Sequence, residues 1–332
     1  MHTPSPVIAN TASIQQAVAL LRQGRLVAFP TETVYGLGAD ARNPDAIRRI
    51  FAAKGRPADH PLIVHIPSPE NLADWAATIP DSARQLARQF WPGPLALILS
   101  KRPDVPLEVT GGQQTIALRV PNHPVALQLL QAFGGGIAAP SANRFCRISP
   151  TQAAHVAEEL GDTVELILDG GACTVGVEST IVDLTGVRPR LLRPGQITRE
   201  ELEAVLNTEL VLPETLKHSK TELRAPGMMA VHYAPLTPAL RCRPEQLPDI
   251  IQELTAAHKK IGLLTYQTAI AEKQITQEMR LPNQADAYAQ GLYTALRKLD
   301  QLHLDIIVVE QPPDSEAWRA VNDRLNKATL AY

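Results

Sequence analysis

The chain has 332 residues, 45% hydrophobic and 20% charged, a length that suits two globular domains and a composition expected of a soluble globular protein rather than a disordered or membrane one. Its 32 basic and 34 acidic residues give a formal net charge of -2. A split after Leu206 leaves 18 basic against 19 acidic residues in the first part and 14 against 15 in the second, so neither part has the cationic excess of a dedicated nucleic-acid binder, though a net count leaves a local basic groove open. No apolar run approaches the roughly 20 residues that span a bilayer, and the first ten residues lack the basic and apolar regions of a secretion signal. Cys146, Cys173 and Cys242 are too far apart for a zinc pair or a disulfide framework, so a cytoplasmic location is expected.

In chain order, Ser13 with Gln16 reads as a capping box for a helix carrying Ile14, Ala17, Val18 and Leu21, with Gly24 as its stop. A short strand at 26–29 runs into a polar, glycine-rich loop at 30–38. Asn43-Pro44 then starts a second helix that Gly55 ends. Further strands are expected at 62–66, 95–99, 116–120, 137–139, 166–168 and 180–184, and helices at 82–90, 124–133 and 151–160. The alternation predicts a mixed α/β domain with a large twisted sheet. From 207 to 238 the periodicity fades into prolines and a polar run, as a linker does. Helix 245–258, strand 261–265, helix 284–299, strand 306–309 and helix 316–330 then predict a small α/β domain with a parallel sheet, Rossmann-like in outline but without a Gly-x-Gly-x-x-Gly turn. The expected division is residues 1–206, a linker at 207–238, and 239–332.

Several polar segments sit beside apolar strands of the first domain. Pro30-Thr31-Glu32-Thr33-Val34-Tyr35-Gly36-Leu37-Gly38 offers short hydroxyls and glycines at a strand's end, suited to a small polar ligand or equally to a turn whose threonines cap backbone groups. Lys54-Gly55-Arg56-Pro57 and His60 bring cations together. Such cations complement a helix dipole, or they anchor a polyphosphate. His65 interrupts the strand at 62–66 and on its own reads as a half-buried structural residue. Arg119 lies in an apolar, β-branched run and, once buried, needs a carboxylate or phosphate, from the chain or from a ligand. Ala139-Pro140-Ser141-Ala142-Asn143-Arg144, with Arg147 and Ser149, has the makings of a phosphate or ribose cradle or of a plain turn. Glu178-Ser179-Thr180-Ile181-Val182-Asp183 and Arg193-Pro194-Gly195 add hydroxyls and another arginine. The distribution is that of loops converging on one cleft. The P-loop, the serine-hydrolase elbow, the kinase set and the His-Glu-x-x-His helix are all missing.

Taken in order, Pro-Thr-Glu-Thr-Val-Tyr-Gly-Leu-Gly, Lys-Gly-Arg-Pro with Pro-Leu-Ile-Val-His-Ile, Ala-Leu-Arg-Val-Pro, Pro-Ser-Ala-Asn and Glu-Ser-Thr-Ile-Val-Asp resemble the signature of the YrdC-like fold. Pro226-Gly227-Met228 and His232-Tyr233-Ala234-Pro235 are similar to the linker of the long, two-domain threonylcarbamoyl-AMP synthases. The resemblance implies adenylation of N-carboxylated threonine, from ATP, L-threonine and bicarbonate, to supply a downstream tRNA threonylcarbamoyl transferase complex. By matching segment it implies a threonine site of Thr33, His65, Arg119, the Ala139 backbone and Ser179. It implies a nucleotide site of Arg56, His60, Thr115, Ser141, Ser149 and Arg193, with Lys54 and Asn143 on phosphate and Mg2+ brought by ATP. No protein-held metal and no dedicated general base is expected. His60 stands where the family more often has asparagine, and Phe145-Cys146 replaces Ser-Gly. The long linker is expected to act as a lid, with His232 and Tyr233 donating hydrogen bonds to phosphate or ribose. The competing expectation is a double-stranded RNA-binding module, against which the charge balance counts; direct contact with tRNA stays open.

Overall fold

The computed structural model describes residues 5–212, 224–229, 232–269 and 275–332. The chain forms two compact units: Met1–Phe145, Pro150–Thr174 and Glu178–Met228 in the first, and Cys146–Ser149, Val175–Val177 and Met229–Tyr332 in the second. The segment 207–238 is thus shared, with its part up to Met228 in the first unit and the rest in the second.

The first unit contains β1 (Val7–Ile8), α1 (Thr11–Arg22), β2 (Val27–Phe29), β3 (Gly36–Asp40), α2 (Pro44–Lys54), β4 (Ile63–His65), α3 (Asp81–Phe90), β5 (Leu95–Ser100) and α4 (Leu107–Thr110). It continues with β6 (Thr115–Arg119), α5 (Pro124–Phe133), β7 (Ile137–Ala138), α6 (Ala153–Leu160), β8 (Leu166–Asp169), β9 (Thr180–Asp183), β10 (Arg190–Arg193) and α7 (Arg199–Leu206). The strands make one mixed sheet in the order β1-β8-β2-β3-β7-β4-β6-β5-β9-β10. The expected α/β architecture is therefore present.

Two local expectations need correcting. The cap of α1 is Asn10, whose side chain accepts from Ser13 N at 3.0 Å while Ser13 Oγ accepts from Asn10 N at 2.9 Å. Ser13 is the third residue of that box rather than its cap, because the asparagine three positions earlier satisfies the orphan amide. The presumed loop at 30–38 turns into β3 from Gly36, which pairs with Phe29 in an antiparallel hairpin. The glycines hid this strand, since they weaken strand propensity. Here the Phe29 ring fills their space, and a Cβ on Gly38 would lie 2.8 Å from it. By contrast α2 follows its punctuation: Asn43 caps Asp45 N and Ala46 N, Pro44 opens the helix and Gly55 closes it at φ 62°.

One face of the sheet carries the main core, where Leu37, Val64, Leu118 and Ala138 pack with Ile47, Ile50, Phe51 and Leu86. The opposite face is covered at one end by α1 and α5, through Val18, Leu21, Leu129 and Leu130 against Val27, Phe29 and Ile137. At its other end, Ile63, Ala96, Ile98, Ala117, Ile181 and Leu192 cluster with Ala225 instead of with a helix. That helix-free half is where the polar segments meet.

The second unit holds β11 (Ala239–Cys242), α8 (Leu247–Ala256), β12 (Ile261–Thr265), β13 (Gln277–Arg280), α9 (Ala285–Asp300), β14 (Ile306–Glu310), α10 (Arg319–Ala328) and β15 (Leu330–Ala331). Its strands are all parallel in the order β13-β12-β14-β11-β15, as the alternation predicted. The expected helix at 316–330 is instead a 3-10 turn at Glu316–Trp318, then α10, then β15. Trp318 at the junction packs its ring on Tyr288 at 5.3 Å and Tyr266 at 5.8 Å.

Candidate active site

Alternate residues of a strand share a face. Ile116 and Leu118 of β6 lie in the main core, so Thr115, Ala117 and Arg119 line the helix-free face. Along β6 this row is about 13 Å long at a strand's rise of ~3.3 Å per residue. On β4, His65 pairs in register with Arg119, which puts the imidazole beside the guanidinium.

Arg119 is 3% exposed. Its Nη1 donates to Thr33 Oγ1 at 2.9 Å and its Nε to the Gly93 carbonyl at 3.2 Å, while Nη2 lies 2.7 Å from Glu32 Oε2. The carboxylate that a buried arginine requires is thus Glu32 of the same chain. Thr31 does the work of the turn, accepting from Thr33 N and Val34 N and donating to Val34 O at 2.7 Å. Thr33 is thereby left to face Arg119. His65 is buried, and its pKa is pushed down to about 3 by burial first and by Arg119 second. Its ring is neutral at physiological pH, and among the described residues Nδ1 has no aligned hydrogen-bond partner. Ala139 follows β7 and its N–H is taken by Ile63 O at 3.0 Å.

Lys54, at the end of α2, is 3% exposed. Its Nζ donates to the Ser141 carbonyl at 2.6 Å and also to the Asn143 carbonyl. Phe145 N donates to Lys54 O at 2.8 Å, so α2 and the 141–145 loop are tied together from both directions. Ser141 also bridges Gly36, joining this loop to the 30–36 hairpin. Arg56 donates to Pro61 O at 2.9 Å. His60 is partly exposed and stands edge-on to Phe145, with ring centres 5.5 Å apart. Its pKa is lowered by burial first and then by Arg56 and Arg224, against the pull of Asp59. Two of the positions that depart from the family pattern, His60 and Phe145, therefore touch each other.

Arg193 joins the last two segments: Nε donates to Ser179 O at 2.9 Å and Nη2 to Ser179 Oγ at 3.1 Å. Gly195 passes so close to Thr180 N that a Cβ there would lie 2.4 Å away. Thr180 N in turn donates to Pro94 O, next to the Gly93 carbonyl held by Arg119. Thr33, Lys54, Arg56, His60, His65, Thr115, Arg119, Ala139, Ser141, Asn143, Ser179 and Arg193 all belong to the first unit. Ser149, His232 and Tyr233 belong to the second. There Tyr233 is buried, stacked on Tyr293 at 5.9 Å and under Arg324 at 5.4 Å. Within the anticipated lid, residues 213–223 and 230–231 lie outside the described residues. Arg224 and Pro226 are described. Arg224 pairs with Asp59 at 2.7 Å and donates to Gly111 O, and Pro226 O accepts from Arg193 at 3.2 Å.

Sequence reasoning passed over Glu32 and Arg224, and it noted Phe145 only as a departure from the family pattern. Glu32 had a signal: an acid inside a hydroxyl-rich strand end, in a chain whose Arg119 demanded a carboxylate. A cavity of about 600 Å³ opens elsewhere in the first unit, at the far ends of β3 and β7, lined by Arg42, Trp75 and Asp104 among others. In it Arg42 pairs with Asp104 at 2.8 Å and lies over Trp75, and none of the segments above reaches it. Among the described residues no helix is long and apolar enough to cross a membrane.

A family model described as "Telomere recombination" matches residues 19–195, and one described as "Threonylcarbamoyl-AMP synthase, C-terminal domain" matches residues 197–329. A threonylcarbamoyl-AMP synthase of Bacillus subtilis is 43% identical over 324 residues, covering 96% of this chain and 93% of that protein. One of Pyrococcus abyssi is 43% identical over 318 residues, covering 95% and 94%. The crystal structure of Pyrococcus abyssi Sua5 complexed with L-threonine superposes with a TM-score of 0.91 at 39% identity, over 100% of this chain and 99% of that one.

Proposed function

The chain belongs to the threonylcarbamoyl-AMP synthase family, and on that premise we propose how its own residues make threonylcarbamoyl-AMP and pyrophosphate from ATP, L-threonine and bicarbonate. The threonine amine takes up carbon dioxide derived from bicarbonate to give a carbamate. A carbamate oxygen then attacks the α-phosphorus and pyrophosphate leaves. Arg119, Thr33, His65, the Ala139 backbone and Ser179 hold threonine. Arg56, His60, Thr115, Ser141, Asn143 and Arg193 hold the nucleotide. Mg2+ enters as part of the substrate, bound to phosphate oxygens and water.

The observation that carries this reading is the row Thr115, Ala117 and Arg119 on the helix-free face. It offers a cation at one end, a small apolar floor in the middle and a hydroxyl at the other, the order in which threonine, carbamoyl phosphate and nucleoside follow one another. Catalysis is then chiefly positioning and charge neutralisation. Lys54 acts on the phosphates through the loop it fixes, and its buried ammonium adds positive potential there. Neutral His65 is suited to hydrogen bonding rather than to proton uptake. Arg224 and Pro226, tied to Asp59 and Arg193, support a lid role for 207–238 that keeps water from the mixed anhydride. The product would feed a tRNA-modifying transferase.

Pyrophosphate release from labelled ATP, with threonine and bicarbonate omitted in turn, tests the reaction. Release should require both; release that ignores both omissions eliminates the synthase reading. Proteolysis within 207–238 should slow when ATP and threonine are both present, and an unchanged rate would reduce the segment to a tether.

A further inference from the structure

Glu32 has no part in the scheme above, yet its environment is unusual for a buried acid. The residue is 4% exposed, lies 2.7 Å from Arg119 Nη2, and among the described residues accepts an aligned hydrogen bond at neither carboxylate oxygen. An ionised carboxylate has about four acceptor sites, and leaving them unfilled in a buried setting is costly. Arg119 is likewise only part-used. Its three contacts, with Thr33, Gly93 and Glu32, leave two of a guanidinium's five N–H groups. A buried cation with spare donors and a buried anion with spare acceptors, side by side, match a zwitterion carrying both charges on neighbouring atoms.

We propose that Glu32 receives the α-ammonium of the amino-acid substrate while Arg119 receives its carboxylate, making Glu32 a specificity-determining residue of the site. This rests on the synthase reading given above. The rival physical account is that Glu32 merely orients Arg119 and never meets the substrate. The two differ in which part of the ligand Glu32 senses.

Three probes separate them by calorimetry with the full-length protein: L-threonine, 3-hydroxybutyrate, which lacks the amine, and threoninol, which lacks the carboxylate. For the wild type, 3-hydroxybutyrate should bind about ten- to a hundredfold more weakly than threonine, as expected for loss of one charge-assisted hydrogen bond. Glu32→Gln should weaken threonine and threoninol by similar factors and leave 3-hydroxybutyrate unchanged. Equal weakening of threonine and 3-hydroxybutyrate, with threoninol spared, would overturn the proposal in favour of Arg119 orientation. So would wild-type protein that binds 3-hydroxybutyrate as tightly as threonine, a result that stands even if the variant does not fold. Wild-type protein that binds no threonine at all would instead sink the synthase reading.

Discussion

Two buried glutamates, one in each unit, show how the same side chain serves opposite ends. Glu310 closes β14 with no exposure and accepts from Tyr266 N at 2.8 Å, Gln267 N at 3.2 Å, Thr268 N at 3.1 Å and the Thr268 hydroxyl. It fills a nest of backbone amides at the carboxyl end of a parallel sheet, where an α/β fold of this kind often binds an anion. Glu32 is buried too, but among the described residues it meets one guanidinium and no aligned donor. A carboxylate saturated by its own chain is part of the scaffold. One with unmet capacity next to a part-used arginine marks a binding site.

The largest effect should come from emptying the saturated nest. Glu310→Ala strands the buried Tyr266 amide and the less buried amides of Gln267 and Thr268, and at roughly 1–3 kcal/mol for each unsatisfied group the second unit should lose about 4 kcal/mol. Hydrogen exchange at Tyr266, Gln267 and Thr268 should accelerate while threonine affinity holds. Slow exchange in the variant would show that the nest does not depend on the carboxylate.

His65 gives a smaller effect with a definite sign. The folded state resists protonation until about pH 3, whereas an unfolded histidine takes its proton near pH 6.5. Stability is therefore complete above pH 6.5 and falls as the pH drops below it. By pH 4 this group alone should cost about 3 kcal/mol. Urea denaturation of His65→Gln should be less steeply pH-dependent than that of the wild type across this window. Parallel profiles would mean that His65 is not the acid-sensitive group.

Smaller again is the effect expected at the His60–Phe145 contact. Phe145→Ala should hydrate the imidazole, whose charged neighbours are Arg56, Asp59 and Arg224, and let its lowered pKa relax upwards. Apparent ATP affinity should then strengthen a few-fold between pH 7.5 and 6 in the variant relative to the wild type, as imidazolium forms beside phosphate. Identical pH profiles would place His60 away from the triphosphate.

Elements with strong punctuation were legible in the sequence. Proline and glycine bracket α5 to the residue at Pro124–Phe133, and Asn43, Pro44 and Gly55 bracket α2. Strands whose composition argues against them were not. Among these, β3 contains two glycines, β10 begins and ends with arginine, and β13, Gln277–Arg280, is polar and half exposed at a sheet edge. The same limit applies to the site. That Arg119 would be buried and need a counter-charge follows from its apolar neighbours, but that Glu32 supplies it depends on the pairing of distant strands. Lys54 was visible as a cation at a helix end. Its bonds to the carbonyls of Ser141 and Asn143 were not, because a loop's path is set by tertiary contacts rather than by local pattern.

The central claim is that the charges of the first unit sort into an amino-acid end around Arg119 and a nucleotide end around Arg56. Separate titrations of threonine and ATP against Arg119→Ala and Arg56→Ala test it most directly. Arg119→Ala should weaken threonine about ten- to a hundredfold with ATP little changed, and Arg56→Ala should do the reverse, each figure being that of one lost charge-assisted contact. Equal loss of both affinities in both variants would contradict the account.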